Sequence, residues 1–241
     1  MNKRILITGA SAGIGRALSL LLADKGYDLI LVARRENKLR ELKSEIQDRC
    51  DVRVVTFPCD VSKPDEINRL LDVVDKEGGV YAVVNNAAIS YAGLLQDMSD
   101  DDWHKIMDTN LNSIFYICRG IIPSMVHNKY GRIINISSMW GESGASMEVA
   151  YSTTKGAVNA FTKSLSKELA PSNISVNAVA FGVIDTDMNS NLTYDEKNQL
   201  TNDIPMSRMG TPLEAATMIY NILTAPSYLT GQIVTMDGGY L

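Results

Sequence analysis

The chain has 241 residues, of which 45% are hydrophobic and 21% are charged, and its formal net charge at pH 7 is −5. This composition supplies a sizeable apolar core, and an α/β chain of this length normally folds as one domain. The negative charge argues against an extended nucleic-acid-binding face and leaves room only for a local basic spot that binds one nucleotide.

Short apolar runs alternate with helical patterns along the sequence. The first run, residues 4–8, ends in glycines and is followed by a helical pattern over about 14–25. A second apolar run at 29–33 precedes a charged amphipathic helix at about 37–48. Further strands are predicted at 53–57, 80–84, 132–136, 174–179 and 232–235, with helices at about 64–77, 100–128, 150–169 and 212–224.

Apolar strands that alternate with helices predict a parallel sheet covered on both faces. Right-handed crossovers then give a doubly wound, Rossmann-type α/β sheet of about seven strands. The sequence has no linker and no internal repeat, so we expect a single domain over 1–241. The polar segment 186–211 interrupts the alternation, and we expect a lid or binding segment there, with a surface excursion as the alternative.

The sequence TGASAGIG, residues 8–15, joins the first strand to the first helix. Glycines in such a turn let the backbone approach a pyrophosphate closely, and the N–H groups at the start of the helix favour its negative charge. The spacing is G-x-x-x-G-x-G, which differs from the ordinary G-x-G-x-x-G fingerprint. The turn therefore predicts a dinucleotide site with its own glycine spacing.

The charge at the end of the second strand bears on which dinucleotide binds. An NAD enzyme carries Asp or Glu about 20 residues after the glycine turn, where it binds the ribose hydroxyls. This chain has Arg34 and Arg35 there. Guanidinium groups pair with a 2′-phosphate that a carboxylate would repel, so we expect NADP(H) rather than NAD(H). The alternative is that the two arginines only begin a solvated helix.

Tyr151 and Lys155 are four residues apart in the helix predicted at 150–169. Positions i and i+4 share a helix face, so the phenol and the ammonium are expected on one side. Tyrosine has an ordinary pKa near 10, and a neighbouring cation would lower it toward the range of a general acid/base. Ser137 and Ser138 follow a predicted strand, at the carboxyl end where doubly wound sheets bind ligands. Turn formation is the alternative role for these serines.

With these residues the sequence resembles the short-chain dehydrogenase/reductase family over nearly the whole chain. Within that family the pattern is most similar to the 3-oxoacyl-[acyl-carrier-protein] reductases. The matching motifs are TGASAGIG (8–15), Asp60-Val61, NNAA (85–88), Asn110 in TNLNS, Ser138, YSTTK (151–155) and Thr186 in GVIDTDM.

The resemblance implies a catalytic set. Tyr151 would donate or accept the proton, Ser138 would hydrogen-bond the substrate carbonyl oxygen, and Lys155 would bind the nicotinamide ribose and perturb the tyrosine. Asn110 would hold a water in a proton relay to Lys155. These roles imply an NADP(H)-dependent oxidoreductase acting on C=O and CH–OH groups, with the hydride chemistry supplied by the cofactor.

The resemblance also implies how the cofactor is bound. Asp60 and Val61 would meet the adenine, and Asn86 the ribose region on the adenosine side. Ile184 and Thr186 would meet the nicotinamide carboxamide. The full set expected for NADP(H) is Gly9, Ser11, Gly13, Ile14, Gly15, Arg34, Arg35, Asp60, Val61, Asn86, Ala87, Tyr151, Lys155, Ile184 and Thr186, and no metal is expected.

Two residues depart from the family pattern. Ala88 stands where the family usually has the glycine of N-N-A-G, and Phe181 precedes Gly182 where it usually has P-G. Loss of the proline removes a rigid φ and restores an N–H. We expect cofactor binding to survive, with a bulky aromatic ring beside the nicotinamide site and an altered substrate mouth.

The resemblance leaves the carbonyl substrate open. In 3-oxoacyl reductases, basic residues near the active-site entrance dock the acidic carrier protein; here those positions fall at about Lys129 and Ser172, so only one is basic. The stretch 137–152 also resembles a bacterial subgroup, some of which are thought to reduce a ketone on a modified lysine of translation elongation factor P. A small-molecule ketone or alcohol is the third alternative. A non-catalytic NADP-sensing regulator is remote, because such relatives typically lose the tyrosine or lysine.

The remaining expectations concern surroundings and assembly. Cys50, Cys59 and Cys118 are far apart and odd in number, which favours a reducing compartment and argues against a metal cluster. No apolar stretch approaches the roughly 20 residues that span a bilayer. We therefore expect a cytoplasmic protein that binds no membrane and no nucleic acid. By resemblance we expect a homo-oligomer, a tetramer or dimer, whose helices near 100–128 and 150–169 pair between subunits.

Overall fold

The fold comes from a computed structural model that describes residues 3–189 and 193–241. Its strands are β1 (Arg4–Thr8), β2 (Asp28–Ala33), β3 (Val54–Pro58), β4 (Ala82–Asn85), β5 (Gly131–Ser138), β6 (Ile174–Phe181) and β7 (Ile233–Met236). Its α-helices are α1 (Gly13–Asp24), α2 (Glu36–Gln47), α3 (Pro64–Lys76), α4 (Asp100–Met107), α5 (Ser113–Asn128), α6 (Trp140–Ser143), α7 (Val149–Leu169), α8 (Tyr194–Asp203) and α9 (Pro212–Thr224).

The strands form one parallel sheet in the order β3-β2-β1-β4-β5-β6-β7. The chain first winds outward from β1 to β3 and then returns to place β4 on the other side of β1. Ligands of doubly wound sheets bind beside the carboxyl ends of the strands where the order reverses. The predicted seven-stranded, doubly wound α/β fold is confirmed, and the reversal between β1 and β4 marks the position of the site.

Alternate side chains of each strand enter two separate apolar cores, one on each face of the sheet. Ile5 and Ile7 pack into the core beneath α1, α2 and α9, whereas Leu6 packs into the core beneath α3, α5 and α7. All three side chains are fully buried. Burial on both faces explains why the strands read as unbroken apolar runs rather than as alternating patterns.

Two segments differ from the prediction. The single helix expected over 100–128 is divided into α4 and α5 by a π-helical turn at Asp108–Asn112. The polar segment 186–211 contains the helix α8, which begins with a capping box in which Thr193 and Glu196 bond each other's backbone N–H groups. Within residues 3–189 and 193–241, no helix is long and apolar enough to cross a bilayer.

Candidate active site

The turn after β1 is packed so closely that only glycine fits at two of its positions. Gly9 has φ +67°, and a Cβ there would lie 2.7 Å from Nδ2 of Asn86. A Cβ on Gly15 would collide with the carbonyl oxygen of Gly9. The helix α1 begins without a side-chain cap and without an acidic residue in its first turn. The backbone therefore fits a negatively charged pyrophosphate, as the sequence predicts.

Asn86 and Thr8 hold this turn against the end of β4. Nδ2 of Asn86 donates to the carbonyl oxygens of Thr8 and Gly9, at 2.9 and 3.3 Å. Oγ1 of Thr8 accepts from the backbone N–H groups of Asn86 and Ala87, both at 3.0 Å. The side chain of Asn86 thus shapes the turn itself, which is a role that the sequence analysis did not anticipate for it.

The two arginines after β2 lie beside the same turn. Nε and one terminal nitrogen of Arg35 donate to Oγ of Ser11, at 3.3 and 3.2 Å. Another nitrogen of Arg35 lies 3.8 Å from a carboxylate oxygen of Asp187. Arg34 is also exposed. Two exposed cations next to a helix N-terminus form a suitable site for a phosphate monoester.

Asp60 and Val61 follow β3 at the same edge of the sheet. Burial opposes the ionisation of Asp60, but hydrogen bonds from the hydroxyl and the N–H of Ser62, with the nearby charge of Arg34, hold the pKa of Asp60 below its usual value. Val61 is buried. Asp60 is therefore an ionised acceptor at the carboxyl edge, and its contact with an adenine stays a prediction.

The segment after β6 lies across the glycine turn. Ile184 pairs with Gly210 in an isolated parallel bridge. Thr186 packs on the turn, because a Cβ on Gly13 would lie 3.0 Å from Cγ2 of Thr186. Ile14 is half-buried against the nearby apolar core. The structure thus brings residues from four separate parts of the predicted cofactor set to one edge of the sheet.

Ser138, Tyr151 and Lys155 meet at the carboxyl end of β5. Ser138 is the last residue of that strand, and its hydroxyl is near enough to the phenol of Tyr151 to act on the pKa of that phenol. Nζ of Lys155 lies 5.4 Å from the centre of the Tyr151 ring. The lysine side chain is only 2% exposed, and Nζ donates to the carbonyl oxygen of Ile136 at 2.8 Å.

Burial dominates the ionisation of both groups. Desolvation and, to a smaller extent, the negative charge of Glu148 raise the pKa of Tyr151, and the hydrogen bond with Ser138 lowers it; together they raise the pKa to about 12. Desolvation lowers the pKa of Lys155 to about 8. This differs from the expectation that Lys155 lowers the Tyr151 pKa: burial, Glu148 and Ser138 act on that pKa, while Nζ of Lys155 is bonded to the carbonyl oxygen of Ile136.

Asn110 lies in the π-helical turn between α4 and α5 and is fully buried. Nδ2 donates to the carbonyl oxygen of Ile89 at 2.8 Å and to Oγ1 of Thr154 at 3.3 Å. Oδ1 accepts from the N–H of Ile89 at 2.9 Å. The amide therefore ties the loop after β4 to the helix that carries Tyr151 and Lys155. That Asn110 holds a water in a proton relay to Lys155 stays a prediction.

The expectation that Phe181 lies at the mouth of the site is wrong, and the predicted docking positions do not reach the site within one chain. Phe181 is 4% exposed and belongs to the core beneath α1 and α9, so its ring fills the interior rather than the substrate mouth. Lys129 lies two residues before the start of β5 and Ser172 two residues before the start of β6, so both lie at the amino edge of the sheet. Within one chain that edge is opposite to Ser138, which ends β5.

A family model described as short chain dehydrogenase matches residues 3–197. This chain belongs to the short-chain dehydrogenase family. It is therefore an oxidoreductase, and the family's nicotinamide cofactor accounts for the glycine turn and the cluster beside it.

Three similar proteins illustrate its place among the short-chain dehydrogenases. The uncharacterized oxidoreductase YmfI of Bacillus subtilis is 39% identical over 100% of this chain and 99% of its own. The crystal structure of the 3-oxoacyl-[acyl-carrier protein] reductase of Brucella melitensis has a TM-score of 0.93 at 33% identity, covering 99% of this chain and 91% of that one. YwfH, an NADPH-dependent reductase involved in bacilysin biosynthesis, has a TM-score of 0.93 at 25% identity, covering 100% and 99%.

Two residues of this short-chain dehydrogenase lie at the site without having been predicted there. Tyr240 packs edge-on against Trp140, with 5.4 Å between the ring centres, and the backbone N–H of Trp140 donates to the hydroxyl of Ser138. Glu148 precedes α7 and its charge acts on Tyr151. A glutamate three residues before the tyrosine was a visible signal, whereas the position of Tyr240 depends on how the end of the chain packs.

Proposed function

We propose that this short-chain dehydrogenase is an NADPH-dependent carbonyl reductase in which Tyr151 protonates the carbonyl oxygen. The observation that carries the proposal is the convergence of Ser138, Tyr151 and Lys155 at the carboxyl end of β5, on the edge of the sheet that also carries the glycine turn after β1. Such an end of a doubly wound sheet is where ligands bind.

Each residue has a separate part in the reaction. NADPH, when bound, supplies the hydride that reaches the carbonyl carbon. The hydroxyl of Ser138 donates a hydrogen bond to the carbonyl oxygen and holds it beside the phenol. Tyr151 gives its proton to that oxygen as the carbon–oxygen double bond becomes single, and the ammonium of Lys155 then stabilises the phenolate that remains. Asn110 keeps the lysine-bearing helix in position.

The preference for NADPH follows from the charges after β2. Arg34 and Arg35 would bind the 2′-phosphate, and Ser11 would add a hydroxyl to the same site. No carboxylate occupies the position that would bind the 2′-hydroxyl of NADH. The likeness to an NADPH-dependent reductase supports this assignment.

The first candidate substrate is a 3-oxoacyl group on an acyl-carrier protein or another thioester. Full-length likeness to 3-oxoacyl-[acyl-carrier-protein] reductases supports it, at 35% identity for the Chlamydia muridarum protein and 33% for the Brucella melitensis structure. Against a strong carrier interaction stands the single basic residue, Lys129, at the predicted docking positions.

The second candidate is a ketone on a modified lysine of elongation factor P. The half-buried carboxylate of Glu148 favours it, because a carboxylate near the reacting group complements an amine-bearing substrate and repels an acidic carrier. The presence of Glu148 rather than a basic residue beside Tyr151 is the specific observation that keeps this candidate open.

A substrate panel tests the proposal and separates the candidates. Purified protein is mixed with NADPH or NADH and with carrier-bound, coenzyme A-bound and free 3-oxo compounds, and with elongation factor P that carries the ketone. Faster loss of NADPH absorbance than of NADH, with at least one ketone, is the expected result. Absence of turnover with every ketone, although NADPH binds, would overturn the proposal.

A further inference from the structure

Three polar side chains, Asn85, Asn135 and Thr162, form a polar row through the apolar core between β4, β5 and α7. Nδ2 of Asn85 donates to Oδ1 of Asn135 at 2.8 Å, and Nδ2 of Asn135 donates to Oγ1 of Thr162 at 2.9 Å. Asn135 and Thr162 are fully buried, and Asn85 is 3% exposed. The two asparagines lie opposite each other in the pairing of β4 with β5. The polar row therefore ties two central strands to the helix that carries Tyr151 and Lys155.

Stability of the core does not account for the polar row. Val83 and Ile133, two residues earlier on the same strands, and Val158 and Leu165 on α7 all belong to the apolar core on this face of the sheet. Oδ1 of Asn85 is buried and has no hydrogen-bond partner among the residues that the structure describes. Buried amides are costly to desolvate, and apolar side chains of the same shape often stabilise a core as well or better. A requirement of geometry explains the polar row better than stability does.

Asn135 lies one residue from the carbonyl group that holds the lysine of the site. The carbonyl oxygen of Ile136 accepts the 2.8 Å hydrogen bond from Nζ of Lys155. The hydroxyl of Ser137 adds a longer bond, of 3.3 Å, to the carbonyl oxygen of Lys155. Thr162 follows Lys155 by about two helical turns, so both side chains face the sheet. Three consecutive residues of β5 thus bond α7, and the shorter of the two side-chain bonds is the one from Asn135.

We propose that Asn135 and Thr162 are positioning residues whose hydrogen bond fixes α7 along β5 and so holds the ammonium of Lys155 on the carbonyl oxygen of Ile136. The part of this inference that concerns catalysis rests on the proposed function, in which Lys155 stabilises the phenolate. Asn110 bonds α7 at Thr154, one residue before the lysine, whereas the polar row holds the helix two turns further along.

A buried hydrogen bond can fix the helix where apolar packing cannot. Apolar contacts are non-directional, so a helix that slides slightly along a sheet loses little buried area. The bond between Asn135 and Thr162 confines donor and acceptor to a range of roughly 0.5 Å, and its loss in a dry core leaves both groups unpaired. A slide of one residue, about 1.5 Å along the helix axis, would carry Lys155 away from the carbonyl oxygen of Ile136.

Hydrogen exchange of the Lys155 ammonium tests the inference without cofactor or substrate. The lysines are labelled with ¹⁵N, and the signal that is missing in Lys155→Met identifies the buried ammonium. Thr162→Val, which replaces the hydroxyl by a methyl group, should speed the exchange of these protons with water roughly tenfold, because the bond to Ile136 protects them. Thr162→Ser keeps the hydroxyl and should stay within about twofold of the wild-type rate. A wild-type rate in Thr162→Val would overturn the inference.

Two comparisons separate the position of α7 from the stability of the core. Ile121→Val removes a methyl group from the same core and no hydrogen bond, so it should lower the urea midpoint and leave the exchange at the wild-type rate. Thr162→Ala and Thr162→Ser lose the same methyl group and differ only in the hydroxyl. Thr162→Ala should exchange faster than Thr162→Ser, and this pair decides the question if Thr162→Val does not fold. Equal rates in the two variants would contradict the role of the polar row.

Kinetics give a second readout with any ketone that the protein reduces. Thr162→Val should lower kcat roughly tenfold and keep KM within about twofold, because Lys155 acts on the phenolate rather than on the bound ketone. Thr162→Ser should restore most of kcat. Lower stability with an unchanged kcat would make the polar row purely structural and refute the inference. Complete lack of turnover in the unmodified protein would instead remove the proposed function, while the ammonium exchange would still decide whether Thr162 positions Lys155.

Discussion

Nζ of Lys155 donates a hydrogen bond to the carbonyl oxygen of Ile136 at 2.8 Å, in a site where the lysine is 2% exposed. The ammonium is thereby buried with a backbone oxygen as its partner and lies 5.4 Å from the centre of the Tyr151 ring. Burial of a charge opposes folding unless it is well compensated. The geometry thus predicts a conflict between stability and activity at Lys155.

Replacement of Lys155 by Met should abolish activity without destabilising the protein at pH 7. The lysine pKa is lowered to about 8, so below pH 8 it is protonated in both the folded and the unfolded state and the penalty on folding is complete. Between about pH 8 and 10.5 the folded state loses the proton first and wild-type stability recovers, by about 3 kcal/mol at most.

Urea unfolding of wild type and Lys155→Met at pH 7 and pH 10 measures this effect. Other titrating groups are common to both proteins, so the difference between them isolates Lys155. The stability of the wild type relative to the variant should increase with pH. A wild type that loses stability relative to Lys155→Met as the pH rises would show that the ammonium stabilises the fold.

Replacement of Arg34 by Asp and Arg35 by Ala should weaken NADPH much more than NADH. Loss of the guanidinium groups removes the partners of the 2′-phosphate, and the new carboxylate repels it. We expect roughly tenfold to hundredfold weaker NADPH binding, which corresponds to about 1.4–2.8 kcal/mol. Calorimetry measures the affinity of the variant for each cofactor. Arg40→Ala, which loses an exposed ion pair with Glu36, is the control. Equal losses for the two cofactors would refute the phosphate-binding role.

Replacement of Gly15 by Ala should impair cofactor binding and stability together. The added Cβ collides with the carbonyl oxygen of Gly9, so the turn must shift, at a cost of about 1–3 kcal/mol. Gly156→Ala is the matched control, because its Cβ would meet its nearest neighbour at 3.4 Å within a helix. Urea unfolding and NADPH titration of both variants check the expectation, and an unaffected Gly15→Ala protein would contradict the packing of the turn.

Phe181→Leu should lower stability and leave substrate recognition intact. The ring belongs to the buried core, so the shorter side chain is expected to cost about 1–1.5 kcal/mol of unfolding free energy. The KM for a ketone should stay within about twofold of the wild-type value, which corresponds to less than 0.5 kcal/mol. A large rise in KM with unchanged stability would show that the Phe181 ring contacts the substrate.

The order of elements could be predicted because strands buried on both faces are continuous apolar runs. The division of the helix at Asp108–Asn112 could not be predicted, since that sequence contains no proline or glycine and the turn is held by bonds between Asn110 and Ile89. The sequence contains the capping box of α8, Thr193 followed three residues later by Glu196. The polar composition of the segment 186–211 nevertheless favoured the prediction of a loop. The packing of Tyr240 on Trp140 joins residues far apart in sequence and depends on tertiary structure.

The site was predictable in its residue types and less so in its electrostatics. Tyr151, Lys155 and Ser138 could be placed together by helix spacing and by the end of a strand. The pKa of Tyr151 could not be anticipated, because it depends on the burial of the phenol and on the charge of Glu148. Desolvation is a property of the packed molecule, and no spacing in the sequence encodes it.

The rate of ketone reduction by Tyr151→Phe, measured together with its affinity for NADPH, tests the proposed role of Tyr151 most directly. Tyr228→Phe, in which a 99% exposed tyrosine loses the same hydroxyl, is the control. Tyr151→Phe should bind NADPH normally and lose kcat by roughly a hundredfold to ten-thousandfold, since the proton donor is gone. If Tyr151→Phe turns over the ketone as fast as Tyr228→Phe, another group donates the proton and the mechanism is wrong.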